Sequence, residues 1–306
     1  VSQQTPQAFE EAWDMAFAAP WEDRRPWWVL ADMLSEVGDW RGELMSLQLE
    51  AEELGSRGLA KVRLHRLLHE AGPRLQPDST VVDRVERGVV RRCTTQVQRV
   101  NQADHRRDDR WATVYGVDFV GPARPSQEAW RRSVLASGHL RRARRIGGLE
   151  REGLVALSTA PALALLEEVE LVGEVGRTDG PPASDWQAWW RAVFERHRTL
   201  RHVVLGWHAT TTVFRQVLDA VAQGPLTRLT LHGSTTDVAM ALDFVRAAPR
   251  AFEVWVRLRD ESLQAQVQVL DGELRVQCPF ATGHEAEHAL RSNWPSAPMP
   301  PITRWG

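Results

Sequence analysis

Apolar residues near the start of the chain recur every three or four positions: Ala8, Phe9, Ala12, Trp13, Ala16 and Phe17 share one side, with Glu10, Glu11 and Asp14 opposite. That period predicts an amphipathic helix, which Pro20 ends. A second helix is predicted from Pro26, a good first-turn residue, through Trp28, Leu30, Ala31 and Leu34 to Gly38, which suits a left-handed helix end. Asp39 is placed to cap a third helix with Leu44, Met45 and Leu47 on its apolar side. A fourth carries Leu59, Val62, Leu67 and Leu68 and is expected to stop before Gly72 and Pro73.

Further along, the pattern changes to apolar-x-x-apolar-x-apolar. It occurs at Val114, Val117 and Phe119; Leu166, Val169 and Leu171; Leu200, Val203 and Leu205; Leu226, Leu229 and Leu231; and Ala251, Val254 and Val256. A weaker copy starts at Leu140 with Ala143, where Arg145 takes an inward position. Successive copies begin 26, 26, 34, 26 and 25 residues apart, and the long step contains the eight-residue loop-like stretch GRTDGPPA from Gly176 to Ala183. Helical patterns follow the strands, in DWQAWWRAVFERHR, TTVFRQVLDAVAQG and DVAMALDFVRAA. A strand and helix in about 26 residues cannot bury their own apolar face, so neighbours are expected to stack into a parallel array. After Val256 the period gives way to SLQAQVQVLDGELRVQCPF, read as two strands joined at Asp271 and Gly272. RGVVRRCTTQVQRV suggests a further strand ahead of the array.

Two resemblances follow from these residues. PWWVLADMLSEVGDWRGELMSLQLE, Pro26 to Glu50, resembles the bacterial repeat-companion domain through Ala31, Asp32, Leu34, Gly38, Asp39, Arg41, Gly42, Glu43, Leu47 and Gln48, with Met33 in place of the usual tryptophan. The module carries no known catalytic residues, so the resemblance implies architecture. Arg41 is expected to bridge Asp32 and Glu43, and Trp27 and Trp28 are expected in the core. The 26-residue array resembles the leucine-rich repeat with helices on its convex side. Gly173, Trp207 and Gly233 stand near the place of that family's usual asparagine.

The predicted fold is therefore α/β: a helical module over residues 1–75, an irregular leucine-rich-repeat-like solenoid of parallel strands and convex helices over 76–258, and a capping β-hairpin, helix and Pro-rich tail over 259–306. Hydrophobic content of 43% and charged content of 25% fit a globular chain. No apolar run approaches the roughly 20 residues that cross a bilayer, and no basic-then-apolar leader opens the sequence, so a cytoplasmic protein is expected. Lys61 is the single lysine among 38 basic residues, as in a GC-rich bacterial genome. Cys93 and Cys278 lack a CxxC partner and read as buried thiols.

The candidate chemistry leads away from catalysis. GHEAEH places His284, Glu285 and His288 in a zinc-hydrolase pattern, but Glu287 sits where such a helix meets its core, and no third ligand follows His288. His202, His208 and His232 read as sheet-edge cover and Tyr115 as packing. The basic run Arg131 to Arg145 offers phosphate binding as an alternative. Arg142 and Arg144, however, are expected on an exposed strand face, neutralised by Glu168 and Glu170. With no catalytic residue, metal or cofactor expected, the predicted role is protein recognition or scaffolding through the concave strand face. Its third and fifth motif positions are Asp118, Arg142, Arg144, Glu168, Glu170, His202, Val204, Arg228, Thr230, Glu253 and Trp255, and Trp255 and Arg228 are the expected anchors.

Overall fold

A computed structural model describes residues 6–55, 58–77, 80–95, 109–120, 125–173, 183–207, 211–233, 253–260, 263–270, 273–277, 288, 291–292 and 302–305. The fold is mixed α/β, and the chain divides into two compact units: Val1–Ile146 with Pro161–Leu166, and Gly147–Ala160 with Glu167–Gly306.

In the first unit, α1 (Pro6–Ala18), α2 (Arg25–Glu36), α3 (Trp40–Leu54) and α4 (Gly58–Leu75) form a helical module. The amphipathic stripe of α1 buries Ala12, Trp13, Ala16 and Phe17 against Trp27, Leu30, Ala31 and Leu34 of α2. α2 ends as its sequence requires: the Asp39 N–H bonds Leu34 O at 2.9 Å, the Gly38 N–H bonds Ser35 O at 3.0 Å, and Gly38 takes φ +75°. Asp39 then caps α3 by accepting from the Arg41 N–H at 2.9 Å. The carboxylate that Arg41 binds is Asp39 and not the expected Asp32 and Glu43, because Nε and Nη2 fold back onto the cap at 3.0 and 2.5 Å. Gly42 sets how closely the two helices cross, since a Cβ there would lie 2.5 Å from Ser35 N and 2.7 Å from Ala31 O.

α4 departs from expectation in two ways. It runs through Gly72 and Pro73, and its last turn holds because Ala71 and Leu75 are buried and the Gln76 N–H closes on Gly72 O at 2.9 Å. Its expected apolar face is inverted at the start, where Leu59 is 87% and Val62 66% exposed.

β1 (Thr80–Glu86) was not signalled by the repeat pattern; it pairs antiparallel with β2 (Val89–Thr95), which is the strand expected in RGVVRRCTTQVQRV. Arg87 and Gly88 make the turn between them, both at positive φ (48° and 66°), as a two-residue hairpin demands. α3 holds this turn. Gln48 donates to Val85 O at 3.0 Å and accepts from the Gly88 N–H at 2.8 Å, while Glu52 binds the Arg87 guanidinium at 3.1 and 2.7 Å. β3 (Gly116–Asp118) lies parallel to β2, with Cys93 opposite Val117. α5 (Pro125–Ala136) buries Trp130 near Trp111 and Phe119.

β4 (Arg145–Leu149) begins later than the weak copy at Leu140 implied. Turn bonds from the Arg141 N–H to Gly138 O and from the Ala143 N–H to Leu140 O keep the preceding residues coiled, so Arg142 and Arg144 precede the strand. Arg145 is part-buried and pairs with Asp118.

In the second unit, β5 (Glu168–Gly173), β6 (His202–Trp207), β7 (Arg228–Gly233) and β8 (Glu253–Asp260) are parallel neighbours. Their register is the one the repeat alignment implied: Val169, Val203, Leu229 and Val254 align, as do Leu171, Leu205, Leu231 and Val256, and all eight are fully buried. Between the strands run α6 (Arg151–Thr159), α7 (Ala183–Arg196) and α8 (Thr211–Ala222), with α6 packed on α7 and α7 on α8. Trp186, Trp190, Val193 and Phe194 form the buried face of α7. β9 (Leu263–Leu270) turns antiparallel to β8 and pairs with β10 (Glu273–Gln277) as the expected hairpin. β11 (Ile302–Trp305), in what read as a Pro-rich tail, adds parallel to β10. The helix expected in DVAMALDFVRAA, the loop GRTDGPPA before Ala183 and the joint at Asp271 and Gly272 lie outside the described residues.

Two outcomes test this packing. Gly42→Ala should lower stability by about 1–3 kcal/mol despite the helix propensity gain of about 1 kcal/mol, because the clash is with backbone; a melting temperature equal to or above the parent would refute the close crossing. His197 is fully buried with Nε2 3.2 Å from Leu157 O, and burial holds its pKa below the usual imidazole value although the carbonyl bond opposes this. The unfolded chain therefore binds the extra proton first, from about pH 6.5 downward. Stability should fall from that pH until the lowered folded pKa is passed, and His197→Gln should flatten this part of the melting-temperature profile.

Candidate functional site

Strand alternation puts the third and fifth motif positions of β5–β8 on the face opposite the helices. The register sets them in two rows: Glu168, His202, Arg228 and Glu253, then Glu170, Val204, Thr230 and Trp255, with Gln268 of β9 opposite Trp255. Charges in the first row pair across strands. Glu168 Oε2 is 2.9 Å from His202 Nδ1, and Arg228 Nε is 2.9 Å from Glu253 Oε2. The Arg228 guanidinium also lies 5.9 Å from the centre of the Trp255 ring, and Gln268 donates to the other Glu253 oxygen. Burial alone would raise the Glu253 carboxyl. Arg228 and Gln268, both bound to it, with the nearby Trp255 indole N–H, outweigh burial and hold the pKa below the usual carboxylate value.

His202 links the rows, because its Nε2 lies 2.9 Å from Thr230 Oγ1. A neutral ring that donates from Nδ1 to Glu168 and accepts at Nε2 from the Thr230 hydroxyl satisfies both contacts. The order carboxylate, imidazole, hydroxyl is also that of a nucleophilic triad. Thr230, however, is only 2% exposed, so its oxygen is closed to a substrate, and the chain of bonds fixes side chains across three strands. Val204 at 3% and Thr230 are corrections to the expected open face: both are short β-branched residues between longer neighbours. Arg228, half-exposed, and the part-buried Glu168, Glu170, His202, Glu253 and Trp255 carry the remaining surface.

Arg142 and Arg144 do not stand on an exposed face. Arg142, 3% exposed, pairs with Glu10 at 2.7 Å and Asp14 at 2.8 Å on one side of α1. Arg144 donates to Phe17 O at 3.0 Å and Ala19 O at 2.7 Å, satisfying carbonyls at the C-terminal end of the same helix. Arg141 joins Glu10, and Arg131 is buried with its guanidinium 5.8 Å from the Phe119 ring centre. The basic run is thus largely spent on internal contacts. Asp118 receives Arg92 at 2.5 Å as well as Arg145. Cys93 is buried, and burial raises its thiol far above the ordinary range, which leaves it inert as a nucleophile. His232 is buried, Tyr115 packs against Phe17 and Trp21, and His208, His284 and Glu285 lie outside the described residues. Exposed His288 lies 3.4 Å from Ser292.

The repeat motif did not reach Gln268. Its signal was nonetheless present in the alternation of Gln264, Gln266 and Gln268 along β9. Comparison with protein-family models, with curated proteins and with solved structures finds no match. Among the described residues, no helix is long and apolar enough to cross a membrane.

Thr230→Val keeps shape but strips the hydroxyl from His202, so it should cost about 1 kcal/mol of stability. An unchanged denaturation midpoint would show that the Glu168–His202–Thr230 chain contributes nothing to the sheet.

Proposed function

We propose that the chain is a helical repeat-companion module followed by an irregular leucine-rich-repeat-like array, and that it works by non-catalytic protein recognition through the strand face of that array. One observation carries this reading: on four registered parallel strands, the half-exposed Arg228 sits between Glu253 and the Trp255 ring. Partly exposed Trp and Arg side chains held in place by neighbours are the type that anchors interfaces, because little side-chain entropy remains to be lost on binding. The surrounding Glu168, Glu170 and His202 supply a polar margin. The nucleic-acid alternative is weaker because Arg141, Arg142, Arg144 and Arg145 already have acidic or carbonyl partners within the protein. A zinc hydrolase would depend on His284 and Glu285, outside the described residues.

The test is capture from the native cell with the intact chain as bait, followed by affinity measurement with the protein recovered. Arg228→Ala or Trp255→Ala should weaken that complex about tenfold or more while leaving the melting temperature unchanged. Loss of stability with Trp255→Ala would assign that ring to the core, and unchanged binding in both variants would remove the strand face as the recognition surface.

A further inference from the structure

The first unit holds a groove of about 680 Å³ between the α2–α3 turn, the end of α4 and the short 3-10 turn Asp109–Thr113. That volume is within the range of about 300–1,000 Å³ usual for ligand sites. Its apolar lining is Val37, Trp40 and Leu75, and its polar lining includes Arg41, Arg74 and Arg110. Val37, just past the end of α2, is 58% exposed.

Three carboxylates near the groove are already engaged. Asp39 is held by Arg41, Glu43 by Arg63, and Glu70 by Arg66 at 3.1 Å. Arg74 pairs with no carboxylate among the described residues; its guanidinium instead lies 5.3 Å from the Trp40 ring centre. A cation laid over an aromatic ring keeps its N–H edges available, and a guanidinium edge matches the two oxygens of a carboxylate.

The backbone narrows the choice of anion. A helix N-terminus suits a compact phosphate when its first-turn amides are open. Here the Asp39 side chain already takes the Arg41 N–H at 2.9 Å, so the α3 terminus is occupied from within. What remains is a planar cation beside an apolar floor.

We propose that this groove binds an acidic peptide segment of a partner protein. One carboxylate lies on the Arg74 guanidinium, and a neighbouring apolar side chain rests on Val37, Trp40 and Leu75. The site is formed by residues of the first unit and does not depend on the strand-face reading.

The probe is a fluorescein-labelled, end-blocked peptide of sequence Glu-Glu-Leu-Glu-Glu, titrated with the full chain and followed by anisotropy. Saturable binding is expected. Arg74→Glu, at an exposed position, should weaken it roughly tenfold or more, Arg74→Lys should weaken it less, and Arg228→Ala should leave it unchanged. The matching Gln-Gln-Leu-Gln-Gln peptide should not compete. The proposal is overturned by no saturable binding to the parent chain, by equal affinity in Arg74→Glu, or by equal competition from the glutamine peptide. Displacement by inorganic phosphate at matched ionic strength would also overturn it and define a phosphate site instead.

Discussion

The second unit depends on the cross-strand register of β5–β8. Eight aliphatic side chains at alternate positions are fully buried in two aligned rows. At about 1.5–3 kcal/mol each, they represent roughly 12–24 kcal/mol of burial, as large as the whole net stability of about 5–15 kcal/mol of an ordinary domain. Slipping one strand by a single residue would turn its share outward, so that register does not compete. The opposite face is set by the same requirement: once Val169 and Leu171 point inward, Glu168 and Glu170 must point away, and likewise His202, Arg228 and Glu253.

The first unit relies on closer, more polar contacts. α3 serves two neighbours from one helix: Gly42 lets it cross α2, while Gln48 and Glu52, one turn apart, grip the Arg87–Gly88 turn. Arg87 is a non-glycine residue at positive φ, a conformation that costs about 1 kcal/mol or more. Its guanidinium offsets that cost through Glu52, Trp21 O at 2.6 Å and the Trp21 ring at 4.4 Å. The residues that resemble the repeat-companion signature, Asp39, Gly42 and Gln48, thus have structural work: cap, crossing and clamp.

Arginine is used mainly as an internal fastener in this unit. Arg142 and Arg144 bind α1 along its side and at its end, and Arg91 lies 4.1 Å from the Trp21 ring centre and 3.7 Å from that of Tyr115. A cluster that reads as a binding patch by composition becomes part of the packing because guanidinium can satisfy carboxylates, carbonyls and ring faces at once. Arg74 differs, being held by a ring and by no carboxylate among the described residues.

Periodic features were legible in the chain itself. The period of α1, the caps at Gly38 and Asp39, the strand register of β5–β8 and the β9–β10 hairpin follow from backbone geometry and from the need to bury one face, both local consequences of residue order. Most of the strand-face row was legible for the same reason, since alternation assigns Glu168, His202, Arg228 and Glu253 without knowledge of the partners. Only tertiary structure decided the rest. α4 passes Pro73 because Leu75 has a core to enter; Arg142 is buried because α1 offers it two carboxylates; and Thr230 is closed where His202 reaches across to its hydroxyl. Local order sets which way a side chain points, but its partner and its exposure depend on residues brought near from far along the chain.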